Sequence, residues 1–132
     1  PQDMERAAAM GVEAVSVSNH GGRQLDGSPS AISALPAMVA AANGRCEVWL
    51  DGGVRRGGDI AKARALGATG VLLGRAWAYG LAAGGEAGVE KALSILRDDL
   101  HNTLMLLGRP EFSALERGDI RLPGAMTGEG RE

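Results

Sequence analysis

One run of nine residues, Ser18-Asn19-His20-Gly21-Gly22-Arg23-Gln24-Leu25-Asp26, gathers a proton carrier, two glycines and a guanidinium. An imidazole takes up and releases a proton near neutral pH. A guanidinium holds a carboxylate through two parallel hydrogen bonds. Paired glycines let the backbone turn sharply and let a ligand come close. Singly, His20 reads as a hydrogen-bonded structural histidine and Arg23 as a surface cation. Together in a glycine-bent segment they read as one candidate site, with His20 as base and Arg23 as anion binder.

A second constellation is Asp51-Gly52-Gly53-Val54-Arg55-Arg56-Gly57-Gly58-Asp59, a glycine-rich loop leading into a helix. Exposed backbone N–H groups, a helix N-terminus and arginines suit a phosphate. Gly74-Arg75, before another helix, could supply the other half of the cradle. Either loop alone is a weak signal, since a glycine turn with solvated arginines looks the same. Arg55 and Arg56 are expected to split, one toward the anion and one toward water.

Each constellation follows a short apolar run that reads as a strand: Ala14-Val15-Ser16-Val17, Glu47-Val48-Trp49-Leu50 and Gly70-Val71-Leu72-Leu73. Helices are expected between them. The stretch Asp3–Val15 recurs in register at Asp59–Val71, an offset of 56 residues. Each copy reads as a helix capped by Asp and ended by Gly, then a strand. Ser30 or Ser33 caps the helix between, with Pro36 tolerable only in its first turn. Strands without clean alternation predict parallel strands covered on both faces.

Val89, Leu93, Leu96, Leu100, Leu104 and Leu107 step by three and four, which predicts one apolar face on a long closing helix. Asp98, Asp99 and His101 read as its solvated side. Trp77 and Tyr79, among small residues, read as packing.

Alternating strand and helix units predict α/β architecture, either a doubly wound sheet or a (β/α)8 barrel. A barrel takes about 250 residues, so 132 residues would make its last three strands. Barrels place their chemistry at the C-terminal ends of strands, and phosphate sites after strands seven and eight. All three candidate clusters sit at strand ends, which favours the barrel. Residues 1–115 are read as that barrel portion and 116–132 as a polar, poorly ordered tail.

The balance of 14 basic against 16 acidic residues leaves no basic stripe for nucleic acid, and 3% aromatics leave no base-stacking surface. No apolar run approaches the roughly 20 residues of a membrane span. Cys46, the lone cysteine, excludes an internal disulfide and reads as a buried thiol. No cluster has metal-ligand spacing. The first residue is proline, so the sequence is expected to begin inside a longer protein.

Ser18 to Asp26, Asp51 to Gly57, Ala65-Leu66-Gly67-Ala68 and Gly74-Arg75 together closely resemble the FMN-dependent α-hydroxy-acid dehydrogenases and oxidases. The resemblance runs from residue 1 to about Leu115. It implies a (β/α)8 barrel of which this chain holds strands six, seven and eight with their flanking helices. It implies His20 as the catalytic base, Arg23 as the substrate-carboxylate ligand and Ser18 as a flavin contact. Asp51, Gly52, Gly53, Val54 and Arg55 would hold the ribityl chain and phosphate of FMN, with Gly74 and Arg75 as the second phosphate contact. The implied reaction oxidises an L-2-hydroxy acid to the 2-oxo acid, passing electrons to oxygen, a quinone or a cytochrome. A cytoplasmic homo-oligomer (tetramer or octamer), peripheral to a membrane in some members, is the implied setting.

The family's remaining active-site parts lie upstream of this segment. Other FMN- or phosphate-binding barrels, such as type 2 isopentenyl diphosphate isomerase or IMP dehydrogenase relatives, share the glycine loops but lack the His-Gly-Gly-Arg-Gln-Leu-Asp run. A truncated piece with no activity by itself is the other alternative.

Overall fold

The structure, a computed structural model, describes residues 1–122. Helix α1 (Gln2–Ala9) leads to strand β1 (Ala14–Val17), α2 (Ala31–Ala42), β2 (Glu47–Asp51), α3 (Gly57–Ala65), β3 (Gly70–Leu72) and α4 (Arg75–Leu107). The three strands form one parallel sheet in the order β1-β2-β3. All three therefore end at the same edge, which is what brings the candidate clusters together.

Register decides which face is buried. Val15 pairs with Val48, Val17 with Leu50 and Leu50 with Val71. These side chains share one face and form the core with Met4 of α1, Leu35 of α2 and Ala63 of α3. Leu35 and Leu50 are fully enclosed. The opposite face carries Ser16, Trp49 and Leu72, and Leu72 is 41% exposed. The expectation of cover on both faces is corrected: in this segment the helical core lies on one face. Cys46 is half-buried against that core.

The helix boundaries follow local chemistry, with two corrections. Asp3 and Asp59 are not caps. Pro1 and Arg56 take those places, and the aspartates lie in the first turns. Ser30 caps α2 by accepting the Ser33 N–H at 3.3 Å, which sets Pro36 beyond the first turn. The cap wins because Ser30 is already extended (φ −66, ψ 145). The missing N–H of Pro36 is then a local loss the surrounding core outweighs. The glycine stops hold: Gly67 is left-handed at φ +100, and a Cβ there would press to 2.7 Å of Val39.

Helix α4 is two arms. Gly84 (φ −156) and Gly85 (φ +59) break it. The arms 75–83 and 86–107 fold back so closely that a methyl group on Gly80 or Gly88 would overlap the other's backbone. Leu96 and Leu104 bury as expected, whereas Leu93 and Leu107 remain 44% and 38% exposed. Beyond α4, two short 3-10 turns, Phe112–Ala114 and Arg117–Asp119, fold against α3. Leu115 packs on Ala61 and Leu104, and Ile120 and Leu122 reach the main core. Residues 116–122, within the stretch read from sequence as a tail, thus fold against the rest of the segment. The remainder of that stretch, 123–132, lies outside the described residues.

Candidate active and cofactor-binding site

At the C-terminal edge of the sheet lies a cleft of about 360 Å³. His20 and Arg23 line it from the β1 exit, Asp51, Gly52, Gly53, Val54 and Arg55 from the β2 exit, and Gly74 and Arg75 from the β3 exit. Of the candidate residues, Ser18 alone stands outside this lining. Three glycine-containing exits open into one space because the parallel strands finish side by side.

The β1 exit turns through three successive left-handed residues, His20 (φ +54), Gly21 (φ +69) and Gly22 (φ +74). Glycine adopts this geometry without penalty, and a histidine does not. The turn is held by Gly22 N–H donating to the Asn19 carbonyl at 2.9 Å and by His20 N–H donating to Ser18 Oγ at 3.1 Å. Asn19 Nδ2 donates to the Pro29 carbonyl at 3.2 Å, closing the loop that carries Arg23. A Cβ placed on Gly21 would stand 3.8 Å from Arg75 Nη2 and 4.0 Å from Arg23 Nε. Two guanidiniums from different strand exits thus converge over a bare glycine.

The β2 exit is also left-handed, at Gly52 (φ +99) and Gly53 (φ +82). Ser18 donates its hydroxyl to Asp51 Oδ2 at 2.6 Å, joining the first two exits. The start of α3 differs from the sequence-based expectation. Asp59 Oδ2 accepts the Arg55 and Arg56 N–H groups at 3.1 and 3.0 Å, and Asp99 Oδ2 accepts the Gly57 N–H at 2.6 Å. Two carboxylates therefore occupy that helix N-terminus, while Gly53, Arg55 and the start of α4 line the cleft. Asp99 is half-buried, correcting its reading as a solvated side chain.

Trp77 and Tyr79, read as packing residues, are 42% and 69% exposed, and Trp77 lines the cleft beside Leu72 and Ala78. Their position in the first turns of α4, just after Gly74-Arg75, was the available signal.

The segment is thus a parallel α/β unit whose arginines and glycine turns share one cleft at its strand ends. Residues 1–122 match the FMN-dependent dehydrogenase family, and the chain belongs to it. It is 54% identical over 121 residues to a pre-mycofactocin synthase of Mycobacterium tuberculosis, covering 92% of this chain and 31% of that protein. It is 48% identical over 120 residues to an L-lactate oxidase of Nostoc, covering 91% and 33%. Among solved structures, a mandelate oxidase with benzoyl-formic acid superposes with a TM-score of 0.85 at 46% identity, over 88% of this chain and 35% of that one. A mandelate oxidase variant holding a monooxide FMN adduct matches with a TM-score of 0.84. The chain thus spans about a third of the length of these relatives.

Proposed function

We propose that this segment supplies part of the active site of an FMN-dependent enzyme that oxidises an L-2-hydroxy acid to the 2-oxo acid. In this reading the chain contributes strands six, seven and eight of a (β/α)8 barrel, and the open face bearing Ser16, Trp49 and Leu72 is the barrel interior. The observation that carries the reading is the convergence of His20, Arg23, Arg55 and Arg75 on one cleft.

The donor set fits FMN. A dianionic phosphate asks for cations and free N–H groups, which Arg55, Arg75 and the left-handed Gly52-Gly53 turn provide. A polyol chain asks for a hydrogen-bond acceptor, which Asp51 provides. Bound there, FMN would supply the two-electron acceptor. Arg23 would hold the substrate carboxylate by a two-bond fork and so fix which hydrogen of the α-carbon faces the cofactor. His20 would take the proton released as the alcohol becomes a carbonyl.

The test uses the full-length protein with bound FMN and no oxygen. L-lactate, glycolate and L-mandelate are added, each beside its amide. Bleaching of the flavin absorbance by an acid and not by its amide supports the reading, while equal bleaching by both removes Arg23 from carboxylate recognition. The 54% identity to a pre-mycofactocin synthase, against 48% to a lactate oxidase, favours a second reading in which the parent acts as that synthase does. Full FMN occupancy with no bleaching by any 2-hydroxy acid would select it.

A further inference from the structure

We propose that Asp99 is a positioning residue for phosphate recognition: it fixes the Arg55 loop to the helix that carries Arg75, and so sets the spacing of the two guanidiniums. This rests on the reading of Arg55 and Arg75 as the cations that meet the FMN phosphate.

Arg55 stands two residues ahead of α3, in a loop outside the regular elements. Its N–H and that of Arg56 donate to Asp59 Oδ2 at 3.1 and 3.0 Å, which ties the loop to the first turn of α3. That turn is gripped from outside by α4. Asp99 Oδ2 accepts the Gly57 N–H at 2.6 Å, and the bare Gly57 backbone packs directly on that of Leu100. A carboxylate accepting an N–H makes a bond roughly twice as strong as a neutral pair. Asp99 is half-buried, so water competes less for the contact.

Asp99 lies in the second arm of α4, and Arg75 opens the first. The arms are locked at Gly80 and Gly88, where a methyl group on either would overlap the other's backbone. A continuous path therefore runs from Arg55 through Asp59, Gly57 and Asp99 to α4, then along its two arms to Arg75. The sheet fixes less. Strands β2 and β3 pair as far as Asp51 with Leu72, four residues short of Arg55 and three short of Arg75.

Charge and position make opposite demands at Asp99. A carboxylate repels a dianionic phosphate, so by charge alone its removal favours FMN over riboflavin, which lacks the phosphate. If Asp99 places Arg55, its removal erodes that preference instead. The sign of the change separates the two.

The experiment measures dissociation constants of FMN and of riboflavin from the flavin-free full-length protein. It compares wild type with Asp99→Ala, Asp99→Asn, Leu104→Val and Arg55→Glu. Asp99→Ala should lower the preference for FMN over riboflavin about tenfold, the scale of one weakened hydrogen bond to a charged group. Asp99→Asn, whose carbonyl oxygen still accepts the Gly57 N–H, should keep the preference. Leu104→Val loosens buried packing on the same arm, beside Ala61 and Leu115, and should lower stability with the preference unchanged. Should Asp99→Ala fail to fold, Asp99→Ser replaces it, since its hydroxyl ends one bond short of the carboxylate oxygens.

A preference unchanged or raised in Asp99→Ala overturns the proposal. So does an equal fall in Leu104→Val, which is the pattern of general loosening. A fall in Arg55→Glu without one in Asp99→Ala defeats the positioning role alone. A preference untouched by Arg55→Glu defeats the phosphate reading of this cleft, and the role of Asp99 with it.

Discussion

Asp99 reaches from α4 to accept the Gly57 N–H at 2.6 Å, joining α3 to a helix 42 residues further along the chain. The two helices meet so closely that a methyl group on Gly57 would overlap the Leu100 amide nitrogen and the Asp99 carbonyl carbon. The joint therefore needs both a missing side chain at Gly57 and a carboxylate at Asp99. Gly57→Ala should destabilise the protein by about 1–3 kcal/mol, the usual scale of overpacking. Asp99→Ala should cost about 1–3 kcal/mol by stranding the Gly57 N–H, and Asp99→Asn less, since its carbonyl oxygen still accepts. Urea unfolding of the three variants checks the order. An Asp99→Ala protein as stable as wild type would show that water replaces the carboxylate.

That joint lies beyond what the sequence pattern reveals. The strands were legible because four-residue apolar runs lie between glycine turns, and all three appear within a residue of their expected ends. The cleft was legible because His20, Arg23, Arg55 and Arg75 each follow such a run, and parallel strands must end together. Asp99 was not legible, since its role depends on a partner 42 residues away. Nor was the open sheet face, because periodicity reports burial only when something covers the face. Ser30 and Ser33 were equal candidates for one cap, and only backbone conformation separates them. The packing of residues 116–122 was not legible through their polarity: Glu116 and Asp119 both pair with Arg109, a partner outside that stretch that composition does not show.

Asp119 illustrates that pairing and gives a pH prediction. Its carboxyl lies below its ordinary 3.8, first because the Arg109 guanidinium donates to it and then because the Glu116 N–H does. Arg109 Nε and Nη2 stand 3.0 and 2.8 Å from Asp119 Oδ1. A folded-state pKa below the unfolded one stabilises the fold above the unfolded value, and that contribution fades as pH falls through the folded value. Wild type should thus be more stable than Asp119→Asn at neutral pH, with the gap closing only below pH 3.8. Unfolding midpoints at a series of pH values measure it. A gap independent of pH would assign the effect to shape and not to charge.

His20 gives the most direct prediction for the chemistry. In the full-length protein, His20→Ala should lower kcat by about 10²–10⁴, the usual contribution of a positioned base. FMN content should hold, because the groups proposed to face the phosphate, Arg55 and Arg75, belong to the other two strand exits. The pairing of lost turnover with retained flavin is the diagnostic result. Near-normal kcat would return His20 to the structural role that a lone histidine ordinarily has.

Arg55 and Arg75 test the cofactor end of the cleft. The carboxylates of Asp59 and Asp99 already fill the N-terminus of α3, so that helix has little left to offer an anion. The burden falls on the two guanidiniums, with the Gly53 turn and the first turn of α4, whose N–H groups lack intrahelical acceptors. Reversing either charge, in Arg55→Glu or Arg75→Glu, should leave the full-length protein mostly without flavin after purification. Riboflavin, which lacks the phosphate, should then bind as well as FMN, because the phosphate has become a liability beside a carboxylate. Asp59→Asn is the control: it keeps an oxygen facing the Arg55 and Arg56 N–H groups and should retain FMN. Full occupancy in both charge-reversed proteins would put the phosphate outside this cleft, and a loss confined to Arg75→Glu would leave the α4 end as its seat.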